Sequence, residues 1–101
     1  IRALFDEVNG MLLAARNQLQ TARKAFLYAA IGFRRAGDQL GFAESMLQCS
    51  EVMLRRQQPK RALRMAKRAE RIFRAWDARG HLSRMRPLLN AVEGVMGTRA
   101  L

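Results

Sequence analysis

Residues able to do chemistry are scarce in this chain. The single cysteine, Cys49, cannot form an internal disulfide. It sits in an apolar-periodic stretch and reads as a small buried hydrophobe, with a reducing cytoplasm as the expected compartment. The single histidine, His81, has no second His or Cys at metal-ligand spacing and reads as a packing or surface residue. Ser45, Ser50 and Ser83 lack a base to activate them, and no glycine-rich phosphate loop appears. No catalytic residue, cofactor or metal is therefore expected, and the chain reads as non-enzymatic. No apolar run approaches the roughly 20 residues that cross a bilayer, so no membrane partner is expected either. The chain opens at Ile1 rather than Met, with no signal-peptide pattern, and reads as a domain excised from a longer chain or as a processed product.

Gly and Pro are also few, and β-branched residues are sparse, which excludes disorder across the body and leaves no run with strand periodicity. What remains is helical. Half of the 101 residues are apolar, enough for the core of a single domain over 1–101. Five helices are expected. The first covers about 2–17, with Leu4, Phe5, Val8, Leu12 and Ala15 as its buried stripe. The second covers about 20–35, with Ala22, Ala25, Phe26, Ala29 and Phe33. The third covers about 39–56, with Phe42, Ala43, Met46, Cys49, Val52 and Met53. The fourth covers about 59–75, with Ala62, Met65, Ala66, Ala69, Ile72 and Phe73, and with Trp76 near its end. The fifth covers about 78–96, with Leu82, Met85, Leu88, Leu89, Val92 and Val95.

The breaks have local causes. Asp38 and Asp77 are expected to cap the third and fifth helices, accepting hydrogen bonds from free amides. Pro59 suits a first helical turn, and Gly37 can take the left-handed conformation that ends a helix. Pro87 requires either a kink in the fifth helix or a later start, near Met85.

Two windows match each other. FRRAGDQLGFAESM (33–46) aligns with FRAWDARGHLSRM (73–85) after removal of one residue. Phe33 then pairs with Phe73, Asp38 with Asp77, Gly41 with Gly80 and Met46 with Met85. Upstream, Ala22 pairs with Ala62, Ala29 with Ala69, and Gly10 with Ser50, a period of 39–40 residues. A two-helix unit repeating at this length is the mark of a helical solenoid. These residues resemble the tetratricopeptide repeat (TPR) family, in its longer variant of about forty residues per unit. Gly10 and Ser50 look like the small residue where two helices cross, and Ala22, Ala62, Phe26, Ala29 and Ala69 like the small and aromatic positions of the second helix. The resemblance implies an all-α TPR-like helical-hairpin solenoid of about two and a half repeats, with units at 1–37, 38–76 and a partial 77–101. Asp6, Asn9, Ala66 and Pro87 depart from the family's pattern.

Acidic residues are outnumbered, eight against nineteen basic, for a net charge of +11. The imbalance is local. The second helix carries Arg23, Lys24, Arg34 and Arg35 without an acid, and the fourth carries Lys60, Arg61, Arg64, Lys67, Arg68, Arg71 and Arg74 against Glu70 alone. Arg64, Lys67, Arg68, Arg71 and Arg74 are expected to form one stripe opposite the alanine face. In proteins of the TPR type the first helix of each unit lines a concave groove and the second lies outside. The resemblance thus places Glu7, Met11, Glu44, Leu47, Glu51, Leu54, Arg55, Arg86 and Asn90 in the groove, facing a peptide or partner helix. The basic outer face suits nucleic acid or an acidic protein. Leu27 and Ile31 make the second helix more apolar than one buried face requires, which points to self-association into a homo-oligomer.

Overall fold

A computed structural model describes the backbone of residues 2–100 and the side chains of residues 2–97. The described chain is all helical: α1 (Arg2–Ala15), α2 (Leu19–Arg35), α3 (Gln39–Arg55), α4 (Pro59–Ala75) and α5 (Arg79–Ala100). Consecutive helices pack as hairpins.

The connections repeat. Asn17, Gly37, Gln57 and Asp77 each take positive φ, at 60°, 78°, 62° and 51°. They are spaced twenty residues apart, and each closes the same pair of backbone bonds. Gln18, Asp38, Gln58 and Ala78 donate five residues back, to Leu13, Phe33, Met53 and Phe73. The left-handed residues themselves donate three back, to Ala14, Arg34, Leu54 and Arg74. This 6→1 and 5→2 pattern satisfies carbonyls that a helix end would otherwise leave unpaired.

The turn corrects the internal alignment. Asp77 is not the cap of α5. It occupies the left-handed position of Gly37, and Ala78 stands where Asp38 caps α3 by accepting from the Gly41 amide at 2.8 Å. The register is forty residues without a gap, so Gly41 corresponds to His81, not to Gly80. A Cβ on Gly41 would lie 2.6 Å from the Phe33 ring, and one on Gly80 would meet nothing within 4 Å. His81 instead stacks its own ring on Phe73 at 4.7 Å. One junction packs an aromatic ring on a glycine; the other packs it on an imidazole.

The core runs through α2, α3 and α4. Ala22, Ala29, Ala43, Leu47, Cys49, Ala62, Ala66, Ala69 and Phe73 are fully buried. Alanine lets the helix backbones approach closely, and Gly10 does the same for α1, where an added Cβ would come within 2.7 Å of Phe26. Trp76, expected on the apolar face, is 57% exposed and donates from Nε1 to Gln39 Oε1 at 2.9 Å.

The expected α1 stripe is not buried. Leu4, Phe5, Val8 and Leu12 are 58%, 68%, 49% and 55% exposed, and Ala15 is exposed too. Ala3, Glu7 and Gly10 face the protein instead. The forty-residue register explains the reversal. Phe5 and Leu12 correspond to Ser45 and Val52 in α3 and to Met85 and Val92 in α5, all buried. Ser45 reaches back to Glu7 of the preceding odd-numbered helix. Among the described residues nothing precedes α1 to do the same for Phe5.

Pro87 lies inside a continuous α5, so the later start near Met85 is ruled out. It is exposed, as is Ser83, whose carbonyl loses its helical donor where water can replace it.

The turns carry a stability prediction. Gln57 holds a left-handed backbone at a cost that glycine avoids. Gln57→Gly should raise unfolding stability by about 1 kcal/mol in denaturant titration. Asn17→Gly should gain less, because Asn tolerates this conformation. A loss of stability in Gln57→Gly would show that the turn does not form.

Candidate interaction surfaces

The helices form two unlike layers. In the odd layer the α1 and α3 backbones approach closely, as do those of α3 and α5; in the even layer the α2 and α4 backbones stay further apart. The odd side is therefore closed and the even side splayed.

Polar links stitch the odd layer together. Glu7, 8% exposed, accepts from Ser45 Oγ at 3.2 Å and from Gln48 Nε2 at 3.3 Å. Arg55 donates to the Ala14 carbonyl at 3.1 Å and to Asn17 Oδ1 at 2.9 Å, which ties α3 to the carbonyl end of α1. Arg84 of α5 pairs with Glu44 of α3 at 3.7 Å. Burial, reinforced by the Glu44 charge, raises the Glu7 carboxyl above its ordinary 4.5. Burial also raises Glu51, against the opposing pull of Arg84.

The nine expected groove residues divide. Met11, Glu51 and Arg55 line one cleft of about 260 Å³, joined by Gln48 and Arg84, which the sequence reading missed. Glu44 stands beside it through Arg84, and Glu7 is largely withdrawn beneath Ser45 and Gln48. Leu54 is half-buried against the core. Leu47 is fully buried, because its face of α3 is turned inward. Arg86 and Asn90 lie elsewhere, in a cleft with Lys67, Glu70 and Arg74 between α4 and α5.

The expected basic stripe also divides. Lys67 and Arg74 turn toward α5 and share Glu70, at 3.9 and 3.4 Å. Arg64, Arg68 and Arg71 turn the other way, toward α2 and Arg34. Lys60 and Arg61 are exposed in the first turn of α4. Arg34 and Arg68 lie over the Phe42 ring, at 5.9 and 5.1 Å from its centre. None of Arg34, Arg64, Arg68 and Arg71 has a carboxylate partner among the described residues.

Burial shields Cys49 completely and pushes its thiol up to about 11, so the sulfur is unreactive and part of the core. Among the described residues no group of three or more His, Cys, Asp or Glu side chains is placed to hold a metal ion. No described helix is long and apolar enough to cross a membrane. Comparison with known protein families, characterised proteins and solved structures returns no match.

Glu7 gives the odd layer a pH signature. Its folded value lies above 4.5, so the folded state holds its proton to higher pH than the unfolded chain does. Its contribution to stability must fall as pH rises through that window. Glu7→Gln removes the buried charge and offers a donor to Gln48 Oε1, which is buried without a partner. Denaturant unfolding at about pH 5 and about pH 7 should show a gain of about 1 kcal/mol at the higher pH and a smaller gain at the lower. A loss at neutral pH would show that the carboxylate stabilises the layer.

Proposed function

We propose that the chain is a non-enzymatic interaction module, akin to the longer TPR variant, that binds a polypeptide segment on its odd-helix face. The observation that supports this most directly is the cleft of Met11, Glu51, Arg55 and Arg84. It combines an exposed apolar side chain with both signs of charge, on helices held in fixed relation by the Glu7, Arg55 and Arg84 links. A rigid frame lowers the ordering cost of recognition, and mixed charge beside an apolar anchor suits a peptide or partner helix. The module acts in the cytoplasm, within a larger regulator or assembly. Met11→Ser/Glu51→Lys alters two side chains that line the cleft and lie outside the apolar core. Affinity capture with this variant should lose a subset of the partners retained by the wild type. Identical partner sets would remove the cleft from consideration.

A second reading assigns binding of a polyanion, nucleic acid or acidic protein, to the even-helix face. It is favoured by Arg34, Arg64, Arg68 and Arg71, which have no carboxylate partner among the described residues. Titration of a single-stranded oligonucleotide at increasing salt should give an affinity that falls steeply, by roughly tenfold or more between about 50 and 200 mM. A flat salt response, or one unchanged by Arg64→Glu/Arg71→Glu, would dismiss this reading.

A further inference from the structure

We propose that the groove between α2 and α4 docks an acidic amphipathic segment of a partner protein. The inference rests on the reading of the even-helix face as an anion surface and specifies its ligand. The α2 and α4 backbones stay apart, and between them the side chains of Phe42, partly buried, and Met46, 7% exposed, reach the gap from α3. Two clefts occupy the gap, of about 400 and about 490 Å³, and they share Arg34, Phe42 and Arg68. Both volumes fall in the size range of ligand clefts.

The groove has an apolar base and a cationic rim. Phe42 and Met46 of α3 form its base, with Leu27 and Ile31 from α2 and Met65 from α4 as walls. Ile31 is 48% exposed there. This is the excess apolar character of the second helix. Arg34 rims one side, and Arg64, Arg68 and Arg71 the other. No carboxylate lines either cleft, because Glu70 is turned away to Lys67 and Arg74. Four guanidinium groups thus stand beside an apolar surface with no carboxylate among the described residues to neutralise them.

A partner that satisfies both features must bring carboxylates to the rim and apolar side chains to the base. A helix with Leu or Phe on one face and Glu on its flanks does so. A nucleic acid supplies the charge but nothing for Ile31, Leu27 and Met65. Complementary charge would speed the encounter, and the apolar base would supply the selectivity.

The test uses the full chain and a fluorescein-labelled synthetic peptide of about 18 residues, with Leu along one helical face and Glu on the others. Two controls accompany it: a scrambled peptide of identical composition and a single-stranded oligonucleotide of equal charge. Fluorescence anisotropy should show the amphipathic peptide binding at least about tenfold tighter than either control. Ile31→Ser and Arg34→Glu/Arg68→Glu change exposed side chains and should each weaken the peptide by roughly tenfold, with helicity unchanged by circular dichroism. Equal binding of the scrambled peptide, or no effect of Ile31→Ser, would overturn the groove. Tighter binding of the oligonucleotide, lost in the Arg variant and kept in Ile31→Ser, would overturn the peptide assignment while the anion surface stands. Binding of none of the three probes would dismiss both.

Discussion

All four described helix–helix connections are closed by one left-handed residue and the same two backbone bonds. Everything else follows from that turn. It reverses the chain every twenty residues, so five helices alternate in direction. The reversal is tight, so facing helices must be slim where they meet. Ala22, Ala29, Ala62, Ala66 and Ala69 meet that need, as does Gly10 beneath Phe26. Four different residue types occupy the left-handed position. The conformation is therefore imposed by the pair of bonds it closes and by the helices it joins, not by glycine alone.

The tight turns also separate the helices into two layers, and the charge follows the layers. The odd helices carry near-balanced charge and touch one another, linked through Glu7 to Ser45, Arg55 to Asn17 and Arg84 to Glu44. The even helices carry nearly all of the excess positive charge and stay apart. Like charges on α2 and α4 oppose any closure of the gap between them. Phe42 lies between them, with the guanidinium groups of Arg34 and Arg68 over its ring. One layer is linked by paired polar groups, and the other carries arginines without a carboxylate partner among the described residues. Two unlike sides arise from a single repeat.

Much of this was legible in the sequence. The helix boundaries followed from apolar spacing, Asp38 and Pro59 marked two helix starts, and most of the core of α2, α3 and α4 was named, although Trp76 proved exposed and Leu47 was left out. These features depend on residues within a few turns of one another. The failures share a different origin. Asp77 matched Asp38 in type, but its backbone performs the task of Gly37, because chain reversal acts on conformation and not on residue identity. Phe5 and Leu12 had the spacing of a core stripe, but burial also needs a neighbour, and α1 has described neighbours on one side only. Leu47 was placed in a groove and lies in the core, because half a turn of helix separates the two.

The basic helix PKRALRMAKRAERIFRA shows the division most clearly. Its amphipathic spacing, its alanine face and its excess of arginine are properties of the sequence alone. Helical periodicity and Coulomb repulsion act along a single segment. Which arginines act together was decided by the tertiary structure. Glu70 and α5 draw Lys67 and Arg74 to one side, while α2 and the ring of Phe42 gather Arg64, Arg68 and Arg71 on the other. The reason is geometric. A helix determines the angle between its own side chains, but only the neighbouring helices determine what each angle faces.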